Sequence, residues 1–240
     1  DVSSPGEAFL DTPTVNGTAY PFLEVEPKAY RFRILNAADD RFFNLQLYVA
    51  DPTVVTDDGR TNTEVRMIPA PDGREGGIPD PATKGPDWIQ IGTEGGFLPE
   101  PVVIPSQPVT WNGDPTLFNF GNVQDHSLLL GTAERADVIV DFSQYAGKTL
   151  ILYNDAPTAF PANVPQYDYY TGAPDRTDIG GAPAIQAGYG PNVRTVMQIR
   201  VGGTATGLQV GSVNVVAGGA GYTSPTVDIV GCLLYTSPSP

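Results

Sequence analysis

The chain has 240 residues, enough for one large β domain or two small ones with a real core. Its formal net charge of −14 excludes nucleic acid and an anionic membrane surface as partners, because their phosphates would be repelled. The 27 glycines and 24 prolines leave little room for ordinary helices, the single cysteine, Cys232, permits no internal disulfide, and no apolar run approaches the ~20 residues that span a bilayer.

The chain opens on Asp1 rather than Met and shows no signal peptide, so it reads as a piece of something longer. Asn16-Gly17-Thr18 fits both a hairpin turn and a glycosylation sequon. In Tyr30-Arg31-Phe32-Arg33-Ile34 apolar side chains face one side and arginines the other, and Phe43-Asn44-Leu45-Gln46-Leu47 repeats the alternation. Half-buried strands of a sandwich read this way. A long loop is expected over 51–87, with Asp57, Asp58, Glu64, Asp72, Glu75, Asp80 and Asp87 among glycines and prolines. Trp88-Ile89-Gln90-Ile91 is the next strand. One helical turn is expected at Thr132-Ala133-Glu134-Arg135, capped by Thr132. Strands follow at Val138–Phe142, Thr149–Tyr153 and Thr195–Val201, and a second long loop, 155–193, is centred on Tyr167-Asp168-Tyr169-Tyr170. Loops of such length are often functional or packed on a neighbour. No segment sustains a 3.6-residue apolar stripe, so the fold class is all-β.

Composition shifts after Val201. Over 202–230 a glycine-rich run separates two β-prone stretches, Val213–Val216 and Thr226–Val230, and predicts a β hairpin or insert. Residues 231–240, from Gly231 to Pro240, resemble a translated sequencing adapter and are expected to be a non-native tail, Cys232 included.

Several segments, in order, resemble the second cupredoxin domain of three-domain multicopper oxidases, the laccase, bilirubin oxidase and spore-coat oxidase group. They are Asp11–Gly17 with Tyr20-Pro21, Leu23–Pro27 leading into Tyr30–Ala37, the glycine turn Ile91–Leu98, the run Glu134–Phe142, and Leu152–Pro157. Asp168–Gly172 and Gly190–Thr195 are similar to a bacterial subgroup that includes manganese-oxidising members. The resemblance covers roughly residues 5–201. It implies a cupredoxin-like Greek-key β-sandwich over 1–201, flanked by further cupredoxin domains of the same parent chain, in an extracytoplasmic protein.

The family's chemistry needs a mononuclear copper held by two histidines and a thiolate, and a trinuclear cluster held by His-x-His pairs. The family places these ligands in the first and third domains. Here the only histidine is His126, in Gln124-Asp125-His126-Ser127. The resemblance therefore implies copper in the full-length parent and none in this chain. His126 is then a hydrogen-bonded strand-end residue, or a ligand shared with another domain.

Five charged residues are candidate structural ion-pair partners: Arg31, Arg33, Glu134, Arg135 and Asp137, with Asp141 beside them. Glu94, Gly95, Gly96 and Phe97 sit in a glycine turn that usually carries Asp where this chain has Glu94. Glycines 92, 95 and 96 suit left-handed turns and close backbone approach. In the family this turn lies near the mouth of the next domain's copper pocket. The resemblance thus implies a substrate-pocket wall, with Glu94 steering a reducing substrate or taking its proton. The other reading is a turn carboxylate that caps backbone N–H groups. Two alternatives remain for the whole chain. One is a stand-alone extracellular β-sandwich binding or adhesion module, and the other is a carboxylate-based Ca²⁺ or Mn²⁺ binder built on Asp57–Glu64.

Overall fold

The computed structural model describes residues 10–156 and 165–203, together with the backbone of Leu233–Leu234. The hairpin expected within 202–230 lies outside the described residues, as does Cys232. Two five-stranded sheets make a cupredoxin-like sandwich. A small ribbon, β1 (Thr14–Val15) and β2 (Thr18–Ala19), precedes them. Asn16 and Gly17 turn it at φ 50 and 80, the left-handed pair that a two-residue hairpin uses.

The remaining strands are β3 (Phe22–Val25), β4 (Ala29–Leu35), β5 (Phe43–Val49), β6 (Met67–Ile68), β7 (Ile78–Pro79), β8 (Trp88–Thr93), β9 (Gly96–Ile104), β10 (Thr110–Trp111), β11 (Val123–Asp125), β12 (Leu128–Leu130), β13 (Arg135–Asp141), β14 (Thr149–Asn154), β15 (Thr195–Val201) and β16 (Leu233–Leu234). The first sheet runs β12-β5-β14-β15-β3 and the second β16-β4-β13-β8-β9. Pairing is antiparallel except where β3 meets β15 and β16 meets β4.

Period-two alternation builds the core. Ala136, Val138, Val140 and Phe142 point inward from β13 and the residue after it, against Leu45, Leu47, Leu128, Leu130, Leu150 and Ile199 of the first sheet. Trp88 donates its indole N–H to the Leu45 carbonyl at 2.9 Å, a polar tie between the two sheets. The opposite parity of β4 and β13 carries Arg31, Arg33, Arg135 and Asp137 to the outer face.

In β5 the alternation misleads. Asn44 and Gln46 belong to the polar parity, yet both are fully buried, because the outer face of the first sheet is covered as well. Segment 51–87 is no structureless loop. β6 and β7 form a ribbon, Asp80 accepts the Ala82 N–H in capping a short 3₁₀ turn (Pro81–Thr83), and bridges join Ala50 to Val65 and Tyr48 to Lys84. Tyr48, Ala50, Val65, Ile151 and Tyr153 then close a second apolar cluster beneath it. The buried amides find partners: Asn154 Oδ1 accepts the Asn44 N–H at 2.9 Å, Asn44 Oδ1 accepts the Ser127 N–H at 2.8 Å, and Tyr48 donates to Gln46 Oε1 at 2.7 Å.

The helical turn expected at Thr132–Arg135 is a tight turn instead. Ala133 sits at φ 66, and the Glu134 N–H donates to the Gly131 carbonyl at 3.2 Å. A left-handed third residue reverses the chain into β13 and cannot continue a helix. Thr132 is therefore no helix cap.

Segment 165–193 covers the rest of that outer face, and it brings in charge. Asp155 is buried, accepting the Val109 N–H at 2.9 Å and lying 3.3 Å from Arg74. Burial pushes its carboxyl up to about 6, against the pull of Arg74 and Arg194. A carboxyl that holds its proton more tightly when folded, relative to an unfolded value of 3.8, stabilises the fold on acidification. The stability of the native chain relative to Asp155→Asn is expected to rise as pH falls from about 6 to about 4. Urea unfolding of both proteins across that range measures it, and a difference that stays flat with pH rules the account out.

Candidate functional site

The outer face of the second sheet holds a hollow of about 460 Å³, lined among others by Arg31, Arg33, Glu94, Phe97, Arg135 and Asp137. The strands that carry this lining lie close together. Gly92 stands opposite Asp137 on one side and Phe97 on the other. A Cβ added to Gly92 would lie 2.7 Å from the Gly96 carbonyl oxygen and 3.3 Å from the Asp137 Cβ. The close approach of the two strands therefore requires glycine at 92.

Thr93 pairs with Gly96 across the two-residue turn Glu94-Gly95. Glu94 is at φ 49 and Gly95 at φ 89. Of the three glycines expected to take left-handed backbone, Gly95 does so, while the other left-handed residue is Glu94 itself. A long side chain there costs on the order of 1 kcal/mol, which the short polar Asp or Asn favoured at this turn position mitigates. Glu94 is held by the neighbouring turn. Its Oε1 accepts the Arg135 N–H at 2.9 Å, its Oε2 lies 2.5 Å from the Arg135 guanidinium, and the Thr93 hydroxyl donates to the Arg135 carbonyl at 3.0 Å. Both carboxylate oxygens are engaged by Arg135, one through its backbone N–H and one through its guanidinium. The reading of Glu94 as a cap on backbone N–H is visible in this geometry.

The predicted ion pairs resolve into one fork and one looser contact. Arg31 Nε donates to Asp137 Oδ1 at 2.7 Å and its Nη2 to Oδ2 at 2.5 Å. Arg33, directly across from Asp137 in the ladder, reaches Oδ2 only at 4.0 Å and stays 72% exposed. The Arg31 guanidinium also lies 5.8 Å from the Phe97 ring centroid. Glu134 departs from expectation. It turns away to accept the Gly131 N–H inside its own tight turn, because a reversing turn leaves that donor unmet. Asp141 accepts the Ser143 N–H at 2.9 Å. Leu35, 56% exposed, also lines the hollow. The signal for it was present, since Leu35 continues the outward parity of Arg31 and Arg33.

The other sequence candidates do not converge on a site. His126 is exposed at the end of β11, with Nδ1 2.6 Å from the Ser127 carbonyl. Asp58 binds Arg60, Asp72 binds Arg74, and Glu64 is buried where it accepts the Gly188 N–H at 2.7 Å. Burial raises the Glu64 pKa. These carboxylates are dispersed over separate partners. Among the described residues no group of three or more His, Cys, Asp or Glu is placed to hold a metal ion, and no helix is long and apolar enough to cross a membrane.

No family profile matches the chain. Among curated proteins it is similar to a laccase of Bacillus subtilis, 32% identical over 151 residues, and to a laccase of Haloferax volcanii, 37% identical over 150 residues. These alignments take in 63% and 62% of this chain, and the chain spans about 18% of the length of either relative. Among solved structures it is similar to the McoA multicopper oxidase of Aquifex aeolicus, with 22% identity and a TM-score of 0.42 over 80% of this chain and 25% of that one. The adhesion-module reading draws no support from these relatives.

Proposed function

We infer that this chain, a segment of a multicopper oxidase, is the parent's middle domain, formed by the residues up to Val201, which spaces the outer domains so that their coppers meet. The similarity to laccases over about 150 residues carries this reading. The parent would take electrons singly from phenols, bilirubin-like compounds or metal ions and reduce dioxygen to water, outside the cytoplasm. The residues present do not fit the family's copper centres. The single histidine in the sequence, exposed and turned onto the Ser127 carbonyl, offers neither a His-x-His pair nor a His–thiolate set. The chain's own part in the chemistry is to shape one wall of the substrate site with Glu94, Gly95, Gly96 and Phe97.

A copper titration of this chain is expected to give no intense blue absorption and no oxidase activity. A blue, active preparation overturns the assignment. Within the full-length protein, Glu94→Gln keeps an acceptor for the Arg135 N–H but removes the charge that holds the Arg135 guanidinium. A change of about two- to fivefold in KM for phenols or metal ions is expected, the range of an exposed ion pair. Unchanged kinetics on both substrate classes would remove Glu94 from the substrate wall.

A further inference from the structure

We propose that the hollow selects a small aromatic anion, such as a phenol carrying a carboxylate, through Arg33. This rests on the reading of the hollow as a substrate wall and adds the charge class of what it accepts. The observation behind it is a local reversal of sign. The chain carries a net charge of −14, yet the lining sets three arginines, Arg31, Arg33 and Arg135, against two carboxylates, Glu94 and Asp137.

The distribution of contacts decides which of these charges a ligand can use. Asp137 has both oxygens spanned by the Arg31 fork. Glu94 has both oxygens engaged by Arg135, one through the backbone N–H and one through the guanidinium. A cation entering the hollow therefore meets only carboxylates whose charge is already offset by a guanidinium. Arg33 is in the opposite condition. Its guanidinium is 72% exposed and 4.0 Å from a carboxylate already forked by another arginine. A planar guanidinium in that state presents a fork that matches a ligand carboxylate.

The apolar part of the lining supplies the ring. Phe97 is 54% exposed and Leu35 is 56% exposed, and they share the hollow with Arg33. Large apolar side chains left bare beside an available fork suit a flat ring whose acid group reaches the guanidinium. The excess positive charge is local, so attraction acts within about a Debye length of ~8 Å at physiological salt, while the acidic remainder repels at longer range. Binding is then expected to strengthen with moderate salt, which screens that repulsion, before it weakens at high salt.

The test is a chemical-shift titration of the 240-residue chain with 4-hydroxybenzoate, phenol and tyramine, the anionic, neutral and cationic forms of one ring. Saturable shifts at Phe97 and Leu35 with 4-hydroxybenzoate, and at least about fivefold weaker binding of the other two, are expected. Arg33→Gln should weaken 4-hydroxybenzoate by about fivefold, and Arg33→Lys should retain part of the affinity. Exposure of the Arg33 side chain makes both variants compatible with folding, and the dispersion of their spectra verifies it. Absence of saturable shifts, equal binding of all three compounds, or indifference to Arg33→Gln overturns the proposal. None of these results touches the multicopper oxidase reading, which stands or falls on the copper and oxidase measurements.

Discussion

Asp168→Ala is expected to lower the unfolding free energy by about 3–5 kcal/mol, the cost of leaving one member of a buried pair without its partner. Arg194 is almost fully enclosed, at 9% side-chain exposure against 10% for Asp168. Its Nε donates to Asp168 Oδ1 at 3.1 Å and its Nη2 to Oδ2 at 2.6 Å, while Nη2 also reaches the Glu75 carbonyl at 2.9 Å. The guanidinium sits 4.1 Å from the centroid of the Tyr170 ring. Burial works against its charge, but Tyr153, Asp168 and Asp155 together hold its pKa above the ordinary arginine value. Arg194 therefore stays charged, and removing Asp168 strands a cation. The local packing gives no room for relief, because a Cβ on Gly76 would already stand 2.6 Å from the Arg194 Nη1. Urea unfolding followed by tryptophan fluorescence reads the loss. The double variant Asp168→Leu with Arg194→Met should recover most of it, since apolar replacement of both partners is often neutral. A loss below about 1 kcal/mol in the single variant would mean that segment 165–193 is not held to the sheet by this pair.

That network was invisible in the sequence, and the reason is physical. Alternation reports which face of a strand is apolar, and β4 and β13 are apolar on one face alone, so their inward and outward sets could be read directly from Tyr30–Leu35 and Arg135–Phe142. The burial of Asn44 and Gln46 depends on segments 51–87 and 165–193 folding back over the first sheet. Nothing local to β5 encodes that cover. For the same reason nothing local to Asp155 or Arg194 encodes the distant partners that enclose them. Which residues share the outer face of the second sheet was legible to a greater extent. The glycine turn and the charged outward parity mark Arg31, Arg33, Glu94, Phe97, Arg135 and Asp137, and the structure brings all six to one lining. What escaped was which carboxylate serves which arginine. Glu134 was expected among the pairs, but its place in a reversing turn commits it to the Gly131 N–H, and Glu94 takes Arg135 in its stead.

The core beneath the hollow makes the second large prediction. Phe142 is completely buried, with ring centroids 6.1 Å from Tyr30 and 6.2 Å from Phe32, the latter edge-on at 89°. Phe142→Ala is expected to cost about 3–5 kcal/mol from lost burial and the cavity left behind. Phe142→Leu, which keeps most of the volume, should cost less than about 1.5 kcal/mol. The comparison matters because β13 carries the core on one parity and the hollow on the other: Ala136, Val138 and Val140 face inward, while Arg135 and Asp137 reach the charged lining. Loss of packing at Phe142 should therefore disturb the hollow indirectly, with lower stability and weaker 4-hydroxybenzoate binding together. Arg33→Gln should weaken binding and leave the urea midpoint where it was. If Phe142→Ala proves as mild as Phe142→Leu, the aromatic cluster is not what fixes the spacing of the sheets, and the support for the hollow must come from elsewhere in the strand.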